Sequence, residues 1–436
     1  MDSTIAIIGL GYVGLPLALA FGRAGLLVLG IELEQNKIEA LEAGRSYIPD
    51  VPAADIASLV ARGLLRASSD YDTLREADAI FICVPTPYDA AKAPDLSFII
   101  SAAEGIAARL RAGQLIVLQS TTYPGTTDEV VLPILERGGL KAGQDFDLAF
   151  SPERIDPGNT RFNAINTPKV VGGTSGSATR RAAELLQRIG APVEIVSSAR
   201  AAEMTKLLEN IFRSVNIALV NEMALLSERM GLDIWEIIRA ARTKPFGFMP
   251  FYPGAGVGGH CIPIDPLYLS WKAREYDFHT NFIDLAANVN ESMPYHVVDL
   301  VARGLSRQGR GLAGASVLVL GVAFKPDIDD PRNSPAERVI ELLLLRGAQV
   351  EYHDPHVPRF SIGPDVFQRQ RLDLESVELD DARLGQADCV LVITGHHSLD
   401  YARVVEGARL VVDCCNATRQ VSSGKDKIVL LGAAGW

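Results

Sequence analysis

The sequence predicts an α/β protein in which two parallel-sheet domains are joined by a long central helix. Up to about residue 195, short runs of β-branched residues alternate with helical patterns, and a similar alternation returns after about residue 315. Between them lies one long helical pattern, Ala199–Met230. Near-continuous apolar strands that alternate with helices are typical of a parallel sheet covered on both faces.

The elements of the first region follow from this alternation. Its strands are predicted at Thr4–Ile8, Leu27–Ile31, Ala79–Cys83, Leu115–Gln119, Leu148–Phe150, Lys169–Val171 and Val193–Val196. Its helices are predicted at Leu15–Ala24, Ser97–Leu110, Asp128–Arg137 and Ser177–Ile189.

The central helix has suitable residues at both ends. Ser197 or Ser198 can accept a hydrogen bond from its first amides, and Gly231 suits the left-handed residue that follows a helix. Such a helix is about 48 Å long, so it most simply bridges two domains. We therefore expect domains at residues 1–198, 199–305 and 306–436.

The last third of the chain predicts a second α/β region. Helical patterns at Ile234–Arg242 and Asn281–Leu305 precede a glycine-rich boundary at 304–314. The elements predicted after it are the strands Ser316–Leu320, Val350–His353, Cys389–Ile393 and Leu410–Asp413 and the helix Pro335–Arg346.

The composition excludes several classes of protein. Of the 436 residues, 48% are hydrophobic, which is ordinary for a globular protein. The net charge of −11 disfavours general binding of nucleic acid or of an anionic membrane. No signal peptide and no membrane span is expected. The five cysteines fit neither a disulfide framework nor a zinc site, so we expect no metal ion and a reducing, cytoplasmic location.

Residues 9–14 read GLGYVG and place three glycines, Gly9, Gly11 and Gly14, between a strand and a helix. This is the Rossmann-like dinucleotide fingerprint, in which the glycines permit a tight turn, close approach of the backbone to a pyrophosphate and helix–strand packing. The turn also contains Tyr12 and Val13, at a helix N-terminus whose N–H groups attract an anion. The last region lacks the full fingerprint, but its alternation predicts a second Rossmann-like domain.

A carboxylate ends the second predicted strand. Glu32 can accept hydrogen bonds from a ribose 2′-hydroxyl, which favours NAD over NADP. Glu34 competes for this role, and Lys37 can reach the adenosine side. FAD binding and a plain glycine-rich turn are the alternatives.

A glycine-rich loop, PGAGVGGHCIPIDP at 253–266, carries Cys261. A cysteine beside backbone amides and a cation becomes a nucleophile. Burial as a small hydrophobe is the commoner role of a cysteine, and it is the interpretation for Cys83 and Cys389. His260 is interpreted as structural.

Four polar residues share one face of the central helix: Glu203, Lys206, Asn210 and Arg213. The spacing alone is typical of a solvated charged face. Asn210 favours a functional face, because asparagine is a poor helix former unless its amide has a partner.

Together these residues resemble a known family, the UDP-glucose/GDP-mannose dehydrogenases, along essentially the whole chain. The motifs are GLGYVGLP at 9–16, CVPTP at 83–87, QSTTYPGTT at 119–127, SPERIDPGN at 151–159, EMTKLLENIFRSVNIAL at 203–219, GVGGHCIPIDP at 256–266 and GVAFKPDIDDPRNSP at 321–335. Two of these motifs and the segment at 268–290 resemble the branch that acts on N-acetylhexosamine nucleotides, notably UDP-N-acetylglucosamine 6-dehydrogenases.

The resemblance implies a four-electron oxidation of a primary alcohol to a carboxylate, with NAD as cofactor. Cys261 would attack the intermediate aldehyde, and the thiohemiacetal would be oxidised to a thioester that water hydrolyses. The first α/β domain would hold NAD and the last would hold UDP. The product would feed surface polysaccharide synthesis.

The resemblance also implies roles for single residues. Lys206 and Asn210 would stabilise the alkoxide or oxyanion, and Asp265 and Thr122 would hold or activate water. Glu153 would take part in thioester hydrolysis. Further cofactor contacts would come from Thr86, Thr122 and Arg332, and substrate contacts from Glu153, Arg154, Lys206, Asn210, Arg213, Phe251, Tyr252, Gly254, Gly258 and Lys325.

Four positions depart from the UDP-glucose pattern. Pro157 stands where a glutamate is usual and Ile264 where a lysine is usual, and both departures suit the hexosamine branch. Cys414 and Cys415 stand where a threonine and an arginine are often found, so that an arginine contact with the substrate is missing. Both cysteines are expected to be reduced.

These inferences predict oxidation of UDP-N-acetylglucosamine by a homodimer, or a higher homo-oligomer, with the long helix at its core. UDP-N-acetylmannosamine, UDP-N-acetylgalactosamine and UDP-glucose are alternative substrates. A two-electron hydroxyacid dehydrogenase, which would not need Cys261, and an inactive nucleotide-sugar-binding regulator are the other interpretations.

Overall fold

Two separate sheets hold most of the strands in the computed structural model, which describes residues 3–48, 51–88, 93–156, 159, 161–364 and 368–433. The chain forms two units, one within residues 1–209 and 267–278 and the other within 210–266 and 279–436. The first unit is therefore not one continuous stretch of sequence.

The sheet of the first unit has eight strands. They are β1 (Thr4–Ile8), β2 (Leu27–Ile31), β3 (Leu65–Ser68), β4 (Ala79–Ile82), β5 (Leu115–Leu118), β6 (Asp147–Phe150), β7 (Lys169–Gly173) and β8 (Val193–Ile195), in the order β3-β2-β1-β4-β5-β6-β7-β8. Neighbours from β3 to β6 are parallel, as predicted. At one end of the sheet, β7 pairs antiparallel with β6 and parallel with β8.

Helices cover both faces of this sheet. They are α1 (Gly14–Arg23), α2 (Gln35–Glu42), α3 (Ala53–Ala61), α4 (Ser97–Ala107), α5 (Leu132–Leu135) and α6 (Gly176–Gln187), and a π-helical turn, Thr126–Val131, leads into α5. Alternate side chains of β1 enter different cores, with Ile5 and Ile7 on one face and Ala6 and Ile8 on the other. This two-sided burial explains why the strands are apolar throughout.

The central helix, α7 (Ala199–Met230), has the predicted bounds. Ser198 Oγ accepts a hydrogen bond from Ala201 N at 3.2 Å, and Gly231 has a φ of +75°. The helices that follow are α8 (Ile234–Ala241), α9 (Asp265–Ala273) and α10 (Asn281–Arg307). In the described part of the chain, no helix combines the length and the apolarity needed to cross a membrane.

The second unit contains a five-stranded, wholly parallel sheet and a separate antiparallel pair. Its strands are β9 (Ser316–Leu320), β10 (Gln349–His353), β11 (Arg359–Ile362), β12 (Leu372–Glu375), β13 (Cys389–Val392), β14 (Val411–Asp413) and β15 (Ile428–Leu430), and its remaining helices are α11 (Pro335–Leu345), α12 (Asp381–Gln386) and α13 (Tyr401–Gly407). The sheet order is β10-β9-β13-β14-β15, and β11 pairs with β12.

Candidate active site

The glycine turn between β1 and α1 has the geometry that a dinucleotide needs. Gly9 has a φ of +88°, and a Cβ on Gly14 would lie 1.9 Å from the Gly9 carbonyl oxygen. A Cβ on Gly11 would meet nothing within 4 Å, which leaves room beside the N-terminus of α1. Tyr12 is exposed in this turn and Val13 is half-buried. The residues present therefore fit a pyrophosphate at this turn.

Glu32 lies beside the same turn. Its carboxylate accepts hydrogen bonds from Leu10 N at 3.2 Å and from Leu33 N at 2.9 Å. The side chain is thus fixed where a ribose hydroxyl is expected. Lys37 pairs with Glu34 at 2.6 Å, so in this structure the ammonium group binds a carboxylate of its own helix entrance.

Two threonines of the predicted cofactor site lie in loops after β4 and β5. Thr122 Oγ1 donates to Thr126 Oγ1 at 2.6 Å, and the Tyr268 hydroxyl of α9 donates to the Thr86 carbonyl. Both threonines are buried. These hydrogen bonds fix the loops at the carboxyl ends of the parallel strands, where α/β proteins bind ligands.

Glu203 of α7 holds the loop that carries Thr122. Its carboxylate accepts from Gly125 N at 2.6 Å, from Thr127 N at 2.9 Å and from Thr127 Oγ1 at 2.6 Å. Burial raises the pKa of Glu203 to about 7, and the hydrogen bonds from Thr127 and Gly125 act in the opposite direction. The solvated charged face that the spacing suggests is not found here.

The next two polar residues of this helix face are also buried. Lys206 is 8% exposed, and its ammonium group makes no hydrogen bond or ion pair with any residue that the structure describes. Asn210 Nδ2 donates to Asp265 Oδ2 at 2.6 Å, and both side chains are buried. Asn210 therefore has the partner that its place in a helix requires. Arg213 is exposed.

The Cys261 loop is held at both ends by backbone hydrogen bonds. Asp265 N, at the start of α9, donates to the Cys261 carbonyl at 2.9 Å. Gly259 N donates to the Arg332 carbonyl at 3.2 Å, and Asn333 Nδ2 donates to the Gly259 carbonyl at 3.2 Å. Cys261 itself is exposed. The structure thus brings the cysteine motif and the motif at 321–335 together within the second unit.

Gly258 and Gly259 are required where this loop meets the segment after β9. A Cβ on Gly258 would lie 2.7 Å from Phe324 Cβ, and Gly259 has a φ of +87°. Lys325, which follows this phenylalanine, is half-buried.

Arg332, predicted to contact the cofactor, has a half-exposed side chain that pairs with Asp330 at 2.6 Å. His260 is close enough to this pair to be affected by it. Its pKa is lowered by burial and by the Arg332 charge, and Asp330 acts in the opposite direction.

The loop that carries the predicted substrate contacts Phe251, Tyr252 and Gly254 is anchored by aromatic contacts. The Phe251 ring lies 5.7 Å from Phe212, and the Tyr252 ring stacks on Trp235 at 6.1 Å. Tyr252 remains 47% exposed. One aromatic residue of this loop therefore offers a ring surface to a ligand.

Two buried asparagines that the sequence analysis did not single out fix the same loop. Gly254 N donates to Asn221 Oδ1 at 3.0 Å, and Asn221 Nδ2 donates to Asn290 Oδ1 at 3.0 Å. Asn290 Nδ2 donates to the Ser214 carbonyl at 3.2 Å. The signal was present, since both asparagines lie inside helices, as Asn210 does.

Glu153 forms a buried ion pair that was also not predicted. Both of its carboxylate oxygens accept from Lys169 Nζ at 2.8 Å. Arg154, a predicted substrate contact, pairs with Glu209 at 2.6 Å and donates to the Pro168 carbonyl at 2.7 Å. Pro157, used above to argue for the hexosamine branch, lies outside the described residues.

The segment in which an arginine was missing is built around Asp413. Its carboxylate accepts from Cys415 N at 3.0 Å and from Thr418 Oγ1 at 2.7 Å. Cys414 is buried, and no disulfide joins it to Cys415. This segment therefore supplies thiols, and burial raises the pKa of each well above its usual value.

Comparison with known proteins decides the family. Models of the UDP-glucose/GDP-mannose dehydrogenase family match the chain in order, with the NAD binding domain at residues 3–190, the central domain at 200–292 and the UDP binding domain at 318–420. The UDP-N-acetyl-D-glucosamine 6-dehydrogenase of Pseudomonas aeruginosa is 37% identical over 362 residues, which is 82% of this chain and 83% of that protein. The chain belongs to the UDP-glucose/GDP-mannose dehydrogenase family.

Other members of the family are similar to this chain in sequence and structure. The UDP-N-acetyl-D-mannosamine dehydrogenase of Pyrococcus horikoshii is 36% identical over 355 residues, 81% of this chain and 84% of that protein. A solved structure of the UDP-D-ManNAc dehydrogenase from Pyrococcus horikoshii has a TM-score of 0.88 at 30% identity and covers 98% of this chain and 99% of that one. The predictions of the family, the α/β fold and NAD as cofactor are confirmed, and this UDP-sugar dehydrogenase is an NAD-dependent oxidoreductase.

Proposed function

We propose that this dehydrogenase oxidises the C6 hydroxyl of UDP-N-acetylglucosamine to a carboxylate in two successive oxidations that use Cys261. The observation that carries the proposal is the hydrogen bond between the buried side chains of Asn210 and Asp265, at 2.6 Å, beside an exposed cysteine. This cysteine, Cys261, lies one helical turn before Asp265. A two-electron hydroxyacid dehydrogenase has no need of such a cysteine. The arrangement therefore favours covalent catalysis.

Five polar residues of the site have roles in this chemistry. When bound, NAD+ accepts a hydride in each oxidation. Lys206, which has no partner among the described residues, stabilises the alkoxide. Cys261 adds to the aldehyde and retains it as a thiohemiacetal, which becomes a thioester. Asp265 and Thr122 hold water, and Glu153 takes a proton from the water that hydrolyses the thioester.

The hexosamine substrate is supported by Ile264 and by the relatives. Ile264 is buried at 3% exposure and supplies no charge where UDP-glucose enzymes carry a lysine. The relatives include an N-acetylglucosamine enzyme at 37% identity and an N-acetylmannosamine enzyme at 36%. These sugars differ in the configuration of one carbon, so UDP-N-acetylmannosamine is the first alternative. We propose that the enzyme acts in the cytoplasm and that its uronic acid product serves the synthesis of a surface polysaccharide.

The test is the amount of NADH formed per nucleotide sugar, with UDP-N-acetylglucosamine limiting and NAD+ in excess. Two NADH per sugar, with weaker turnover of UDP-N-acetylmannosamine, UDP-N-acetylgalactosamine and UDP-glucose, is the expected result. One NADH per sugar would overturn the four-electron mechanism. Tight binding of all four without NADH would point to an inactive regulator.

We also propose a homodimer with α7 at its core. Phe212, Leu219 and Leu226 are spaced by seven residues along this helix and are 46%, 55% and 46% exposed. A seven-residue apolar repeat forms a seam that packs against another helix.

A further inference from the structure

Lys169 is a fully buried cation beside the carboxylate to which we assign thioester hydrolysis. The Lys169 side chain is 0% exposed and that of Glu153 is 8% exposed. Its Nζ lies 2.8 Å from each carboxylate oxygen. A buried charge is strongly unfavourable without a partner of opposite sign, so each of these charges depends on the other.

The remaining hydrogen bonds of Glu153 are unequal. Oε1 also accepts from Arg154 N at 2.7 Å and from Ile155 N at 3.0 Å. Oε2 accepts from Lys169 alone within the described residues. Since a carboxylate oxygen can accept about two hydrogen bonds, Oε2 keeps capacity for a water molecule.

Three polar side chains near the pair, those of Cys83, Gln119 and Ser151, supply no positive charge that could replace Lys169. Cys83 Sγ donates to Gln119 Oε1 at 3.1 Å. The pKa of Cys83 is raised by burial and by the Glu153 charge, so this thiol stays neutral. Gln119 Nε2 and Ser151 Oγ are buried and have no partner among the described residues. The environment of Glu153 is therefore polar but, apart from Lys169, uncharged at these positions.

We propose that Lys169 is a positioning residue for the hydrolytic step, and this proposal rests on the function proposed above. Lys169 holds the orientation of the Glu153 carboxylate, so that Oε2 accepts the proton of the attacking water. The water oxygen bonds to the thioester carbonyl carbon, the carbon–sulfur bond breaks and the electron pair leaves with the Cys261 sulfur. The carboxylic acid is released and no oxidant is consumed.

The test is Lys169→Met, mixed rapidly with excess NAD+ and UDP-N-acetylglucosamine. We expect a burst of about two NADH per site, because both oxidations precede hydrolysis. Steady-state kcat should then fall about 100-fold, the range lost with a general base. KM should fall with it because the acyl-enzyme accumulates, so kcat/KM should change little. Intact-mass measurement should find the acyl group on the enzyme. Lys169→Arg, which retains the charge, should restore turnover and remove the accumulated adduct.

Lys272→Met is the matched control. The Lys272 side chain is 5% exposed and pairs with Glu129 and Glu275, each at 2.6 Å, so this variant loses two ion pairs of a buried lysine in the same unit. It should keep the wild-type ratio of burst to steady-state rate.

Three results would overturn the proposal: an unchanged steady-state rate in Lys169→Met, an equal loss of burst and steady state in a folded variant, or an adduct that persists in Lys169→Arg. If Lys169→Met does not fold, Lys169→Gln carries the same test, and failure of both variants to bind NAD would assign Lys169 to the fold alone. One NADH per sugar from the wild type would instead contradict the proposed function.

Discussion

Gly11 and Gly14 lie in one turn for different reasons: Gly14 allows the chain to pack closely, and Gly11 leaves space for the cofactor. Gly14→Ala places a Cβ 1.9 Å from the Gly9 carbonyl oxygen, so it should lower the Tm of the protein without NAD by several degrees. Gly11→Ala meets nothing within 4 Å and should keep that Tm, while NAD affinity falls about tenfold or more because the methyl group occupies the pyrophosphate approach. Thermal melts and NAD titrations test the pair, and an equal loss of Tm in both would contradict it.

Glu203 predicts a pH dependence of stability. Its pKa rises from 4.5 to about 7 on folding, so the folded state holds more protons than the unfolded state between these values. The free energy of unfolding should therefore fall as the pH rises from 4.5 to about 7, by about 3 kcal/mol at most. Glu203→Gln should remove this part of the slope in denaturant unfolding followed from pH 4 to pH 8. The same slope in both proteins would exclude this assignment.

Some site residues were visible in the sequence and others were not. Asn210 was recognisable because an asparagine inside a helix needs a partner, and the same argument would have found Asn221 and Asn290. Lys169 gave no such signal, because a lysine at the start of an apolar strand is usually solvated. The role that we propose for it depends on Glu153, which is 16 residues away in sequence and is brought to it by the antiparallel pairing of neighbouring strands.

The loop that carries Gly254 is hydrogen-bonded to Asn221 of α7, which in turn is hydrogen-bonded to Asn290 of α10. Asn221→Ala removes the acceptor of Gly254 N and the donor to Asn290, so it should lower stability by about 1–3 kcal/mol. It should also raise the KM for the nucleotide sugar, since the loop loses its anchor. Asn216→Ala is the control, because among the described residues the Asn216 amide bonds only the Phe212 carbonyl of its own helix. Equal effects of the two variants on KM would be the contrary result.

The regular elements were predicted better than their pairing. α7 has the predicted bounds because a capping serine, an apolar period and a terminal glycine agree. β3 and the β11–β12 pair escaped notice because they are short and partly polar. The reversed direction of β7 was also missed, since strand direction depends on the connection and leaves no mark in an apolar run. Asp265 lies between two prolines in the sequence, and the structure places it at the start of α9.

The whole molecule is expected to be a dimer, and the apolar repeat on α7 makes this testable. Leu219→Glu combined with Leu226→Glu places charges in the proposed seam and should yield monomers in light scattering after size-exclusion chromatography. Arg359→Glu, on exposed β11, should leave the mass unchanged. An unchanged mass in the double variant would exclude α7 as the core of the assembly.

The division of the first unit into two stretches of sequence has a consequence for inheritance. Tyr268 is fully buried and bonds the Thr86 carbonyl, and Lys272 bonds Glu129, so residues 267–278 are partners of the N-terminal stretch. A recombination that exchanged only the gene segment encoding residues 1–198 between two relatives would pair a tyrosine from one parent with a loop from the other. Chimeric genes in this family should therefore function best when both segments descend from the same ancestor.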